Sequence, residues 1–396
     1  MRNFALAVMV ACVAGSVCTT ASAAGAAGPR MAQLTPLAAT VQDAPQAVRA
    51  SDGRFHLVYE ISLLNTSTSA VRLDRVAVRG GGKVRARYAG PGAIGPIMSD
   101  ASHPFDPIDS LEPSAGGTLW MDVTFNRRAA VPSRLVHRLV TTPLTGGTPS
   151  GPSAATVGAR TRVIRSKPVV ITPPLSGPGY VDANGCCGLG AHVRALFTFD
   201  GRRYLSQRFA IDWVRLDQSG RWWNGDPSKN RDFAVFGDRI IAAAPGKVVS
   251  TRDDLPQNTP PNPLGELDLG NALGNQVKIR MRGGLFAIYA HMRSVAVEAG
   301  DRVRRGQLLG RVGNSGGSTA PHLHFQINPS LRGAGALSNG VPYVFDGFDL
   351  QGRIANFEDF LSQVSSTPAI IDPPQGRTHR RLELPMQSDV VDFPGR

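Results

Sequence analysis

The stretch STAPHLHFQI, residues 318–327, sets His322 and His324 two positions apart behind a Gly/Ser-rich loop. Side chains alternate across a strand, so both imidazoles project from one face while Leu323 and Phe325 project from the other. Imidazole binds metals and carries protons near neutral pH, so such a pair suits one ring on a metal and the other working beside it. Two more stretches offer partners. QRFAIDWV (207–214) alternates Phe209, Ile211 and Trp213 with a set that holds Arg208, Ala210 and Asp212. IYAHM (288–292) carries His291 behind an apolar run. Taken singly, Asp212 reads as a surface carboxylate and His291 as a packed or surface histidine.

Together and in order, AIDW, FGDRIIAAAPGKVV, IYAHM, AGDRVRRGQLLGRVGNSGGST and PHLHF resemble the lysostaphin-like, LytM-type zinc endopeptidases over about residues 190–350. Biotinyl and lipoyl carriers share the G-D-x-V-x-x-G-Q style of half-motif, but they need a hairpin lysine that is missing here. The resemblance implies a small antiparallel β-sheet domain with one Zn2+ per chain in a groove, cutting peptide cross-links or stems of bacterial peptidoglycan. It implies Asp212 and His324 as zinc ligands. His291 and His322 would flank the reacting water, take its proton and steady the oxyanion. Three protein ligands leave one position open, the arrangement in which zinc lowers the pKa of water to roughly 7.

One position departs from the pattern. The family's first ligand is a histidine in H-x-G-x-D, whereas RFAID puts Arg208 and Ala210 in the places of histidine and glycine. Arginine stays protonated and cannot coordinate zinc. His192 is the candidate replacement. AHVRALFTFDGRRYLSQRFAIDW reads as a hairpin turning at Asp200-Gly201, and a two-residue loop would send His192 to the wrong face. A three-residue loop pairs Thr198 with Arg202 and gathers Val193, Ala195, Phe197, Leu205, Phe209 and Ile211 on one apolar face. It also sets His192 opposite Arg208, on the Asp212 face. The expected metal set is His192, Asp212 and His324, with Arg208 free to bind a substrate carboxylate or hold Asp212. The alternative is that His192 is a surface residue and the domain an inactive LytM-like module that binds cell wall or regulates a separate hydrolase. Retention of Asp212, His291, His322 and His324 favours the enzyme, because polar groups cost free energy to hold in a groove.

The elements that must position these residues are short strands. Gly 44, Pro 30 and 7% aromatics in 396 residues point to an all-β chain of two domains. FHLVYEISLLN (55–65), VRLDRVAVRG (71–80), TLWMDVTF (118–125) and RLVHRLVTT (134–142), with turn residues between, predict an Ig-like β-sandwich over 50–165. His137 within it reads as structural. The plan is a signal peptide at 1–23, a flexible lead-in at 24–49, the sandwich, a Pro/Gly-rich linker at 166–189, the LytM-type domain at 190–350 and a disordered tail at 366–396. The Pro-rich loop 252–274 with Asn258 reads as a groove wall, and GNSGGST (313–319) as the turn that orients His322 and His324. Trp222-Trp223 is either a packed pair or a sugar-stacking platform; the latter would make the chain a carbohydrate-binding protein.

MRNFALAVMVACVAGSVCTTASA has the basic start, apolar run and small-residue cleavage site of an export signal. The apolar run is too short to span a bilayer comfortably, and no later segment is long enough. The expected location is periplasmic or secreted, with no transmembrane segment after cleavage. Peptidoglycan peptides are the expected partner; a partner hydrolase belongs to the alternative. Net charge is +13, nearly all arginine. That is accounted for by a solvated arginine-rich surface, or by attraction to an anionic polymer. Nucleic acid is excluded by export and by the lack of a recognition motif. Of four cysteines, Cys186 and Cys187 remain after cleavage; adjacent cysteines rule out a C-x-x-C zinc site and close only a tight ring.

Overall fold

The computed structural model describes residues 32–263, 268–362, 364–376 and 378–395, of which Thr35 onward forms one compact unit. The signal peptide expected at 1–23 lies outside the described residues. Nearly all regular structure is strand.

The sandwich consists of two antiparallel sheets. The first runs Leu37–Val41, Phe55–Asn65, Gly116–Phe125, Met98–Asp100, with Val48–Arg49 also on Phe55–Asn65. The second runs Thr148–Pro149, Arg134–Thr145, Ala70–Gly80, Lys83–Ala89, with Ala154–Arg162 on Arg134–Thr145. Leu57, Tyr59 and Ile61 of one sheet meet Leu73, Val76 and Val78 of the other in a closed core. His137 is buried there, its Nε2 against the Tyr59 hydroxyl at 2.7 Å and its Nδ1–H donating to Ala159 O at 2.8 Å. Burial holds its pKa down at about 4, so it serves packing as a neutral ring.

The other domain is built on an eleven-stranded antiparallel sheet. Its middle runs Gln276–Met281, Phe286–Ala290, Leu323–Asn328, Ile211–Arg215, Gly177–Asp182, Asp389–Phe393, Phe348–Ile354. Leu323, Phe325 and Ile327 face inward with Ile211 and Trp213, as strand alternation requires. A three-stranded sheet of Arg239–Ile241, Leu308–Val312 and Met292–Val295 lies beside it.

Three expected boundaries are corrected. The described part of the lead-in supplies Leu37–Val41 and Val48–Arg49 to the sandwich. The linker at 166–189 is not a tether: Val169–Ile171 pairs with Tyr343–Phe345, and Gly177–Asp182 is a central strand. The tail contributes Asp389–Phe393, paired on both edges. Gly177–Asp182 and Asp389–Phe393 acquire each other as partners far apart in the chain, and burial of Val181, Val391 and Phe393 holds them in place. Cys186 and Cys187 are disulfide-bonded to each other and buried. Trp222 and Trp223 pack on Phe233, so they offer no exposed sugar platform.

Candidate metal centre

Register assembles the site. Asp212 pairs with His324 across one strand boundary, and Ala290, just before His291, pairs with His324 across the other. Directly opposed residues hold their side chains close enough to share a ligand. His291 leaves the strand with φ 60°, which turns its ring out of the alternation and toward His322, ring centroids 4.7 Å apart. His322 precedes Leu323–Asn328, bridged to Gly313.

The tautomer of each ring is set by a partner. The Nδ1–H groups of His192, His291 and His322 donate to the carbonyls of Ala210, Ser315 and Ala320 at 3.1, 2.8 and 2.8 Å. His324 is the reverse: its Nε2–H donates to Gln326 Oε1 at 2.7 Å. Nε2 of His192 lies 3.2 Å from Asp212 Oδ2, and Nδ1 of His324 lies 2.8 Å from Asp212 Oδ1. Two imidazole nitrogens turned on a carboxylate, all within 4.8 Å, can be held by a proton on each ring or by one cation among them. Two nitrogens and one oxygen also match zinc's preferred donors, so the residues fit the metal. His291, His322 and His324 form a second group within the same 4.8 Å limit, so His324 belongs to both.

The electrostatics divide the site. Burial alone would push the Asp212 carboxyl up, but His192 and His322 outweigh it and hold the group well below the usual carboxylate range. Asn184 adds an amide N–H to Asp212 Oδ2 at 2.8 Å. Burial, with the charges of His322 and His324, drives His291 well below an ordinary histidine. Burial lowers His322 too, but Asp212 3.4 Å away more than compensates and raises it. His291 is therefore a neutral ring, and His322 is the ring that more readily carries a proton.

The expected hairpin is corrected. Phe197–Phe199 and Arg202–Tyr204 do form one, but Phe199 pairs with Arg202 across a two-residue loop. Asp200 and Gly201 have φ 50° and 71°, the mirror-image turn that suits strand twist. The apolar-face argument failed because this two-stranded ribbon is not buried on one side: Phe197 is 50% exposed. His192 sits instead on a single helical turn, Ala191–Arg194, and reaches Asp212 from there. Arg208 is also corrected. It lies outside Ile211–Arg215, and its guanidinium is buried against Glu60 of the sandwich, Nε to Oε1 at 3.0 Å, so it holds neither Asp212 nor a substrate carboxylate.

Sequence reasoning missed Asn184, which lay in the supposed linker, and Gln326. The latter was readable, since it shares the His324 face two residues on. The Gly/Ser segment aims His291 through the carbonyl of Ser315, and Ala320 just beyond it aims His322. A Cβ on Gly316 would meet Asn271 O at 2.4 Å, which keeps that turn tight. Asn258 from the Pro-rich loop donates to Gly316 O and Ser318 O at 2.8 and 2.7 Å, buttressing the turn.

Residues 227–336 match the family model described as peptidase family M23. That span includes His291, His322 and His324 and stops short of His192 and Asp212. The chain is 30% identical over 203 residues to the peptidoglycan DD-endopeptidase ShyA of Vibrio cholerae, covering 47% of this chain and 43% of that one. It is 44% identical over 54 residues to the glycyl-glycine endopeptidase ALE-1 of Staphylococcus capitis, 13% of this chain and 15% of that one. The chain thus spans less than half the length of these curated relatives. The solved catalytic domain of lysostaphin from Staphylococcus simulans is 23% identical, covering 41% of this chain and 88% of that one, with a TM-score of 0.23.

Proposed function

The chain carries a peptidase family M23 domain, and from that premise we propose that it is a zinc-dependent endopeptidase hydrolysing peptide bonds of bacterial peptidoglycan. The observation that supports the reading is the pair of imidazole nitrogens turned on Asp212, a donor set that fits a zinc ion. His192, Asp212 and His324 hold the metal. Zinc bound there supplies Lewis acidity toward the scissile carbonyl and toward water.

The chain's own groups do the rest. Gln326 and the carbonyl of Ala210 lock the ligand rings in the tautomers that point lone pairs inward. His291, neutral and anchored by Ser315 O, accepts the proton of the attacking water at Nε2. His322, whose pKa Asp212 raises, would stabilise the oxyanion and pass a proton to the leaving amine. An exported location accords with a wall substrate and with the Cys186–Cys187 disulfide. Among the described residues no helix is long and apolar enough to cross a membrane.

The test is digestion of purified peptidoglycan by the full chain and by His324→Ala. New amino termini from the wild type and none from the variant are expected. Equal digestion by both overturns the reading, and no digestion by a zinc-loaded wild type points to a binding or regulatory module.

A further inference from the structure

The charge of the sandwich is segregated by sheet. Strands of the first sheet carry three acidic residues, Glu60, Asp100 and Asp122, against Arg49. Strands of the second carry ten Lys or Arg and one acid, Asp74, which pairs with Arg72 at 2.8 Å. The alternation that buries Val76, Val78, Leu135 and Leu139 sends the arginines outward. Arg79 lies opposite Val136, between Arg134 and Arg138 of the neighbouring strand, and Arg162 lies opposite Arg134. With strands about 5 Å apart and same-face residues about 7 Å apart, these positions form a grid of cations.

One end of the grid is concave. Arg79, Arg134, Arg160 and Arg162 line a hollow of about 520 Å³ with the turn Gly80-Gly81-Gly82. All four side chains are exposed, and among the described residues none makes an ion pair or side-chain hydrogen bond. Four unpaired guanidiniums around a hollow repel one another, and an anionic ligand relieves that repulsion. Among the described residues the arginine hydrogen bonds that join the domains lie elsewhere, although Arg162 at the edge of the hollow also lines the cleft toward Arg208 and Asn339. Arg194, Arg203 and Arg208 reach the sandwich at Pro96 O and Pro104 O, at Ala101 O and Thr118, and at Glu60, on or beside the first sheet.

We propose that the outer face of the second sheet is a docking surface for a carboxylate-bearing glycopeptide polymer, gripped at several arginines at once. The choice of occupant rests on the substrate class proposed above; the charge complementarity does not. The guanidinium fork matches carboxylates two oxygens at a time, and a repeating polymer engages several forks together. A bilayer fits less well, because membrane-surface faces carry large apolar side chains, and Val157 is the single exposed large one on these strands.

The test is co-sedimentation of the full chain with purified peptidoglycan sacculi at low salt, in a His324→Ala background that leaves the polymer intact. Arg79→Ser, Arg134→Ser and Arg160→Ser combined should weaken binding about tenfold or more, as expected for three exposed ion pairs. Zinc content and melting temperature should not change. Salt at about 0.5 M should release the unmutated face. Undiminished binding by the triple variant overturns the proposal. So does equal retention on anionic phospholipid vesicles or duplex DNA, which would mean charge without selectivity. Wild-type wall digestion together with undiminished binding by the triple variant sinks this proposal alone. Arginine-dependent binding without wild-type digestion sinks the peptidase reading alone.

Discussion

At the scale of single residues, the site depends on which nitrogen of each ring holds its proton. His324 differs from the other three because its outer partner is a side chain, Gln326, rather than a carbonyl. Gln326 is itself held by Asn328 at 2.6 Å, so a row on one strand face fixes the ligand. Gln326→Leu should keep the fold, since the position is buried and the volumes are similar, yet lower zinc affinity or activity about 10- to 100-fold. Chelator competition checks this, and unchanged affinity would show that His324 needs no such partner. Much of this was legible beforehand. The H-x-H spacing, Asp212 and His291 were readable because strand alternation and short motifs are local properties. Arg208 was readable as a non-ligand, but its true partner, Glu60, is 148 positions away and carries no sequence signal.

At the scale of elements, the segment from Ala191 to Phe209 shows where sequence reasoning stops. It was expected to be one hairpin whose register followed burial. The turn chemistry of Asp200-Gly201 set the register instead, because the ribbon has little to bury. The segment is seated by three arginines on the sandwich, and this places His192. Glu60 and Arg208 are nearly buried, 1% and 8% exposed at the side chain. Glu60→Ala should therefore cost about 3–5 kcal/mol, because it leaves the buried guanidinium with only the more exposed Asp43 at 3.9 Å. Denaturant titration measures the loss. A cost under about 1 kcal/mol would mean that the pair behaves like a surface ion pair.

At the scale of the whole molecule, the sandwich and the domain of the candidate metal centre share one compact unit, and the last strand, Asp389–Phe393, closes on Gly177–Asp182. The sandwich's four long strands were legible from alternation and turn spacing. The tail strand was not, since Asp389–Phe393 pairs with Gly177–Asp182 over two hundred positions away and leaves no local period. Stability should also vary with pH through the sandwich. Burial would lower the pKa of His56, but the carboxylates of Asp122 and Asp52 reverse that and raise it to about 9 from 6.5. A raised histidine stabilises the fold fully below pH 6.5 and loses that contribution as pH rises through about 9. Unfolding free energy should fall by about 2–3 kcal/mol across that window. His56→Asn should flatten this part of the curve, and an unchanged slope would assign it elsewhere.

The central claim is that His192, from outside the span matched by the family model, completes a metal centre with Asp212 and His324. Its most direct test is the metal content of the purified full chain and of His192→Ala, by elemental analysis after loosely bound ions are removed. About one zinc per wild-type chain, with most of it lost in a variant whose melting curve is unchanged, is the predicted result. Zinc retained equally by both chains, or absent from the wild type even after incubation with excess metal, would contradict the account.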